Sequence, residues 1–356
     1  MPCRSRSPTP CVRWYRDRPT TSALRTTRCV TCAISTASRV PSAIDFGKGQ
    51  PSLSLLTAAA LHTAAERVLA QHDPLWLRYG DDQDEAPTDF LALDIFRDHG
   101  LRVVGVPIDD EGMQMPALHD ALAAHRPSML YTIPSFQNPT GATLSASRRE
   151  QLLAACAAHD VLVVADEVYQ LLDFGAPPPP SVATYVSDAR VLSLGSFSKI
   201  CAPGLRLGWV HGAPALLEQL MHAGLVQSGG GLNPFTSGVV HSLITLGLAD
   251  RVLDDLKLVY AERSRVLCEA LRDAIPDARL VEPSGRYFVW VQLPGVSAVE
   301  LLSVAREAGV AFHAGPRFAT DDQFGDTLRL SFAHYDSDML REGVQRLARA
   351  RRRLLA

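Results

Sequence analysis

The chain has 356 residues, more than one ordinary core holds, so its length argues for one large or two smaller domains. Hydrophobic residues make up 47% and charged residues 21%, the balance of a packed globular protein. No apolar run reaches the ~18–20 residues of a membrane span. A formal net charge of -3 leaves no nucleic-acid footprint, so neither an integral membrane protein nor a nucleic-acid binder is expected.

That charge is unevenly spread. Residues 1–43 hold eight Arg and a single acid, Asp17, so the rest of the chain is acidic on balance. This stretch is rich in Arg, Ser, Thr and Pro and has no helical or strand period, which reads as a disordered basic leader. Its composition also fits a mitochondrial transit peptide, but Pro2, Pro8, Pro10 and Pro19 break any amphipathic helix. There is no secretory apolar segment, and a cytoplasmic location is expected. Cys29 and Cys32 have zinc or redox spacing without a second pair nearby, while Cys156, Cys201 and Cys268 lie too far apart to suggest a disulfide framework. The histidines show no metal-ligand spacing, so no metal is expected.

From residue 44 the text becomes an alternation of elements. Ile44-Asp45-Phe46 leads into a Gly-Lys-Gly loop that lacks P-loop spacing, then a helical pattern at 56–71 and another near 90–100. Branched residues at 102–106 predict a strand, 115–124 a helix and 129–133 a strand. A helix at 145–159 precedes a buried strand of branched residues at 161–165, and another strand follows at 190–194. Strands alternating with helices give a mostly parallel sheet covered on both faces. Beyond residue 250 come a long charged helix to 274, a strand at 286–292, a helix at 298–308, a strand at 327–332 and a terminal helix, which is an α+β arrangement.

Ligand groups in open parallel sheets gather at the carboxyl ends of the strands. Three such ends carry polar clusters here: Asn138-Pro139-Thr140-Gly141, Asp166-Glu167-Val168-Tyr169 and Ser196-Phe197-Ser198-Lys199, with Arg206 seven residues on. A lysine, a carboxylate, a phenol, an amide and a phosphate-binding set of hydroxyls and arginine together meet the needs of a pyridoxal phosphate site. The bland readings are a solvated lysine, Asp166 as a helix cap, and serines that only cap a turn. Lysine is scarce, with Lys48, Lys199 and Lys257 the only three in the chain, so one standing inside this motif is informative. Lys48 and Lys257 read as solvated surface groups.

At these residues the sequence resembles the class I/II, fold-type-I aminotransferases, closest to the 2-aminoadipate aminotransferase-like branch. Pro203-Gly204-Leu205-Arg206-Leu207-Gly208-Trp209 completes a set of four motifs in family order, and the resemblance covers roughly residues 44–350. It implies a pyridoxal phosphate enzyme that moves an amino group between an L-amino acid and a 2-oxo acid. The implied divisions are the leader at 1–43, an N-terminal arm and small-domain segment at 44–80, a large cofactor domain at 81–250 and a C-terminal small domain at 251–356. Lys199 would be the Schiff-base lysine and proton carrier, and Asp166 would pair with the pyridine nitrogen. Asn138 and Tyr169 would bond the ring hydroxyl, and Ser196, Ser198 and Arg206 would hold the phosphate. Arg329 would grip the substrate α-carboxylate, with Asn138 beside it. Tyr79 looks like the tyrosine that reaches a partner subunit's phosphate, which implies a homodimer.

The sequence also departs from the family. After Tyr79-Gly80 the family runs through about fifty or sixty further residues, including a strand and a phosphate-binding helix N-terminus. Here Asp81-Asp82-Gln83-Asp84 passes directly to Glu85-Ala86-Pro87-Thr88. A missing strand and a weaker hold on the phosphate are therefore expected. Asp89 stands where an aromatic normally stacks on the cofactor ring, and Arg286 stands where a second Gly is usual. Arg286 either binds a substrate's distal acid or points to solvent. Three other readings stand beside the first: a shortened, weakly active relative that serves as a binding protein, a pyridoxal phosphate enzyme of another type such as a lyase, and the sensor half of a transcription regulator. The last needs a helical DNA-binding domain that the leader does not supply.

Overall fold

Residues 43–47, 51–71, 92–185, 190–227, 233–319 and 323–356 are described in the computed structural model of the chain. Strand β1 (Ile44–Asp45) pairs in parallel with β10 (Val310–Ala311), which draws the start of this region onto the C-terminal third. Ile44 and Phe46 are fully buried there. A Cβ at position 343 would collide with the Phe46 ring, so Gly343 is what allows this close approach.

Helices α1 (Ala58–Leu69) and α2 (Ala92–Asp98) form where the apolar spacing predicts them. The segment between them, with Tyr79, the shortened stretch and Asp89, lies outside the described residues, as do the leader and Lys48. The expected strand at 102–106 does not form. Leu101, Val103 and Val104 are exposed there, and no described strand offers the segment a ladder. A branched run becomes a strand only when a neighbour pairs its backbone, and propensity alone is too weak to substitute. A small hairpin follows instead, β2 (Ile108–Asp109) with β3 (Gly112–Met113), and then α3 (Met115–His125).

The central sheet is built from β4 (Met129–Thr132), β5 (Leu162–Asp166), β6 (Val191–Ser196) and β7 (Gly208–Gly212), in that order. The first three are parallel, with Thr132 opposite Ala165 and Ala165 opposite Ser193, while β7 returns antiparallel along β6. Helix α4 (Ala146–Ala158) makes the crossover from β4 to β5, its first turn capped by the Ser145 hydroxyl, which accepts from Arg148 N–H at 3.4 Å. Leu130, Val163 and Val191 of the sheet pack with Leu118, Leu122 and Leu152 of α3 and α4. Each such buried side chain contributes about 1.5–3 kcal/mol of transfer free energy. The register therefore sets the carboxyl ends of β4, β5 and β6 side by side.

Beyond β6 the chain makes the single turn α5 (Phe197–Ile200). After β7 it continues as α6 (Pro214–Met221), α7 (Gly224–Gln227) and α8 (Pro234–Thr245). Phe197, Leu207, Val239, Val240 and Leu243 share a core cluster with Ala64 and Val68 of α1.

Helix α9 (Leu248–Ala274) buries Val252, Leu256, Tyr260, Leu267 and Leu271, a 3.6-residue stripe. It covers an antiparallel sheet of order β11-β12-β9-β8, made of β8 (Arg279–Leu280), β9 (Phe288–Gln292), β11 (His313–Ala314) and β12 (Thr327–Ser331). Helix α10 (Ala298–Glu307) and helix α11 (Ser337–Leu355) complete this layer. The predicted strand at 286–292 starts only at Phe288, because Arg286 adopts φ +60 in a turn whose Gly285 bridges to Asp173. Lys257, expected to be solvated, instead donates to Asp173 Oδ2 at 2.6 Å from α9.

Candidate active site

The turn after β4 is held by its own polar groups. Gln137 Oε1 accepts from the Thr140 N–H and hydroxyl at 2.9 and 2.7 Å, and Gly141 N–H donates to the Gln137 carbonyl at 2.7 Å. Asn138, half-buried in this turn, accepts from Arg329 Nη1 through its Oδ1 at 2.8 Å.

Asp166 ends β5, and its Oδ2 accepts from the Tyr131 hydroxyl at 2.5 Å. Burial first, and then the Asp166 charge, raise the Tyr131 pKa well above its ordinary value, so this phenol is a donor at any working pH. The chain beyond Asp166 enters a turn in which Gln170 N–H reaches the Glu167 carbonyl, so Asp166 is no helix cap. Tyr169 is buried edge-on against Tyr287 and Phe288, with centroids 5.6 and 6.3 Å away. Burial raises its pKa, while the charges of Lys199, Arg329 and Arg286 pull it down and that of Asp166 pushes it up. These four charged groups are thus each close enough to act on the Tyr169 phenol.

Lys199 is half-buried in α5, directly beyond β6. Ser196 and Ser198 beside it are buried, and Ser196 Oγ accepts from Ser198 N–H at 3.1 Å, a turn cap that leaves its own hydroxyl hydrogen to donate elsewhere. Phe197 N–H donates to the Leu207 carbonyl at 3.0 Å, which ties the turn carrying Arg206 to the start of α5. Arg206 itself is exposed at φ +52, with Nη1 3.3 Å from the Pro203 carbonyl. It stands nearer solvent than the other expected phosphate ligands.

Arg329, the middle residue of β12, is 5% exposed. Its guanidinium carbon lies 3.9 Å from the Phe288 ring centre and 4.8 Å from that of Phe318. Burial lowers its pKa to about 10, and its Nε is buried without a hydrogen-bond partner. A buried cation with an unmet donor and stacked rings is a receptor for an anion. Arg286 is also fully buried, so its expected solvent-facing alternative fails.

Behind the rim lies a network that the sequence reading passed over. Arg149 reaches the Leu144, Pro134 and Pro180 carbonyls and lies 3.7 Å from Glu167. Glu167 in turn accepts from Ser181 and Ser193 at 2.5 and 2.6 Å. Tyr131 and Phe318 were also missed. A lone tyrosine inside an apolar strand was the one available signal for the first, and no local signal marks Phe318 or Arg149.

A lysine, a carboxylate and a phenol at adjacent strand ends, faced by a buried arginine, are a donor set that fits pyridoxal phosphate. The chain belongs to the class I and II aminotransferase family, whose model matches residues 92–347. It is 38% identical over 279 residues to the 2-aminoadipate transaminase of Thermus thermophilus, covering 76% of this chain and 69% of that one. Aromatic-amino-acid aminotransferase 1 of Thermococcus litoralis is 32% identical over 273 residues, covering 74% of this chain and 65% of the relative. The matched region thus spans about two thirds of each relative's length. Among solved structures, the α-aminoadipate aminotransferase LysN of T. thermophilus, complexed with N-(5'-phosphopyridoxyl)-L-leucine, superposes with a TM-score of 0.79 at 31% identity. That match covers 89% of this chain and 94% of the other. The family is pyridoxal-phosphate-dependent, and the relatives named above are aminotransferases.

Proposed function

We propose that Lys199 carries the pyridoxal phosphate and that the chain transfers an amino group between an L-amino acid and a 2-oxo acid. The observation that supports this most directly is that Asp166 and Lys199 stand at the carboxyl ends of the adjacent parallel strands β5 and β6, with Arg329 bonded to the Asn138 turn beyond β4. Pyridoxal phosphate, when bound, supplies an aldehyde carbon that accepts the amino group and a ring that takes up the electron pair released at the substrate's α-carbon.

The chain's own residues do the rest. Arg329 takes the α-carboxylate on the free edge of its guanidinium, since Phe288 and Phe318 cover its faces and Asn138 stops its rotation. Lys199 Nζ would take the proton from the α-carbon and deliver it to the cofactor's aldehyde carbon, two bonds away across the transferred nitrogen. Asp166, oriented by the Tyr131 hydroxyl, faces the pyridine nitrogen, while Tyr169 and Asn138 bond the ring hydroxyl. Ser196, Ser198 and Arg206 hold the phosphate, and the protein works as a homodimer. The donor is an amino acid with a long acidic or apolar side chain, and the enzyme works in the cytoplasm.

Borohydride reduction of the protein mixed with pyridoxal phosphate, followed by peptide mapping, tests the central assignment. Label on the peptide containing Lys199 is the expected result, and label on Lys48 or Lys257 instead would overturn it. Light scattering of the purified protein tests the homodimer, and a monomeric mass at working concentration would refute it. A panel of acidic, aromatic and branched donors tests the side-chain class, which a preference for alanine would exclude. Cell fractionation tests the location, and recovery with mitochondria would exclude the cytoplasm.

A further inference from the structure

Arg286 occupies a costly position. It holds a left-handed backbone at φ +60, which a long side chain rarely adopts. Its guanidinium is 1% exposed, and no described carboxylate lies within ion-pair distance of it. Burial, the main cause, lowers its pKa to about 9, and the neighbouring Arg329 charge adds to the shift. Something must hold a cation there.

Backbone carbonyls do so. Nε donates to the Phe288 carbonyl at 3.1 Å, Nη1 donates to the Gln137 carbonyl, and the Arg286 N–H donates to Leu172 at 2.8 Å. The guanidinium lies against Gly141, where a Cβ would come within 2.8 Å of Nη2, so the bare glycine at φ +89 leaves it room. The two carbonyls it joins matter more than their number. Gln137 precedes Asn138, whose Oδ1 bonds Arg329, and Phe288 is the residue whose ring covers Arg329. One planar fork therefore ties together the two elements that orient a second guanidinium.

We propose that Arg286 is a positioning residue for the carboxylate site: it locks the Asn138 turn to the Phe288 strand and so fixes the plane and rotation of Arg329. This rests on the reading that Arg329 takes the substrate α-carboxylate. An arginine suits the task because its fork reaches two carbonyls at a fixed angle, which lysine's single nitrogen does not. Its uncompensated charge also deepens the positive potential that an arriving carboxylate meets.

The test measures binding of 3-phenylpropionate, a carboxylate without an amino group, by calorimetry on the purified protein with its cofactor. Arg286→Gly removes the fork and suits the left-handed backbone, and it is expected to weaken the probe about tenfold or more, the scale of one lost charge-assisted bond. KM for the amino donor should rise in step while kcat stays within about threefold, as for loss of an interaction shared by ground and transition states. Arg286→Lys, which keeps charge and most of the volume, should fall between parent and glycine variant, and it decides the matter if the glycine variant does not fold. Probe binding within about threefold of the parent in the folded variant overturns the proposal, as does a kcat that falls with KM unchanged. Arg329→Met, run alongside, separates the two ideas. Lost binding there with none lost in Arg286→Gly removes the positioning role alone. Unchanged binding in Arg329→Met removes the carboxylate reading and this inference with it.

Discussion

Asn138 Oδ1 and Arg329 Nη1 meet at 2.8 Å although 191 residues of chain separate them. The bond joins the turn beyond β4 to the middle of β12, and so couples the central sheet to the C-terminal one. Arg329 is left with a buried, unpartnered Nε between two rings.

Asn138→Ala should remove the rotational stop on that guanidinium and raise KM for the donor about tenfold, the worth of one charge-assisted hydrogen bond. Asn138→Asp should be worse, because a carboxylate there pairs with Arg329 and competes with the substrate. Steady-state kinetics on both variants checks the order. A tighter KM in the Asp variant would refute it.

Asp166 and Tyr131 form a second pair, at 2.5 Å. Asp166→Asn should lower kcat on the order of 10²-fold, the scale of removing a preorganised charge. Tyr131→Phe keeps the carboxylate and loses only its orienting donor, so a loss of about tenfold is expected. Near-normal turnover in the Asn variant would show that Asp166 takes no part in the chemistry.

Arg149 and Glu167 are both buried, at 0% and 4% side-chain exposure, with other polar contacts made to Ser135, Pro180, Val182 and Ser193. Arg149→Met should leave the Glu167 charge buried beside its serines alone and destabilise the protein by about 3–5 kcal/mol. The thermal midpoint, measured with the cofactor held constant, reports it. An unchanged midpoint would mean the network is dispensable.

His313 sits opposite Arg329 across β11 and β12. Burial, followed by the Arg329 and Arg317 charges, lowers its pKa to about 4 from an ordinary 6.5. The unfolded chain therefore binds more protons between those values. Stability from this group is present above about pH 6.5 and is lost as pH falls towards 4. His313→Gln should flatten that part of the profile. Thermal midpoints at pH 7 and pH 4.5 compare the two proteins, and an equal acid loss would exclude His313 as a contributor.

The strand ends, and the polar residues standing on them, are legible in the linear text. Branched runs at 129–133, 161–165 and 190–194 became β4, β5 and β6, with Asn138, Asp166 and Lys199 just beyond them or at their ends. Side-chain period and branching act between near neighbours, so they survive in the linear text. The long stripe of α9 was legible for the same reason. Pairing was not. The branched residues at 102–106 read as a strand but found no described neighbour to bond, and Lys257 read as solvated until the fold brought Asp173 to it. Arg286 read as either a ligand for a distal acid or a solvent-facing group, yet the Gln137 carbonyl that anchors it lies 149 residues away. These contacts emerge from long-range folding, because a buried cation's partners come from whatever backbone the closed fold carries past it, and no local pattern encodes that distance.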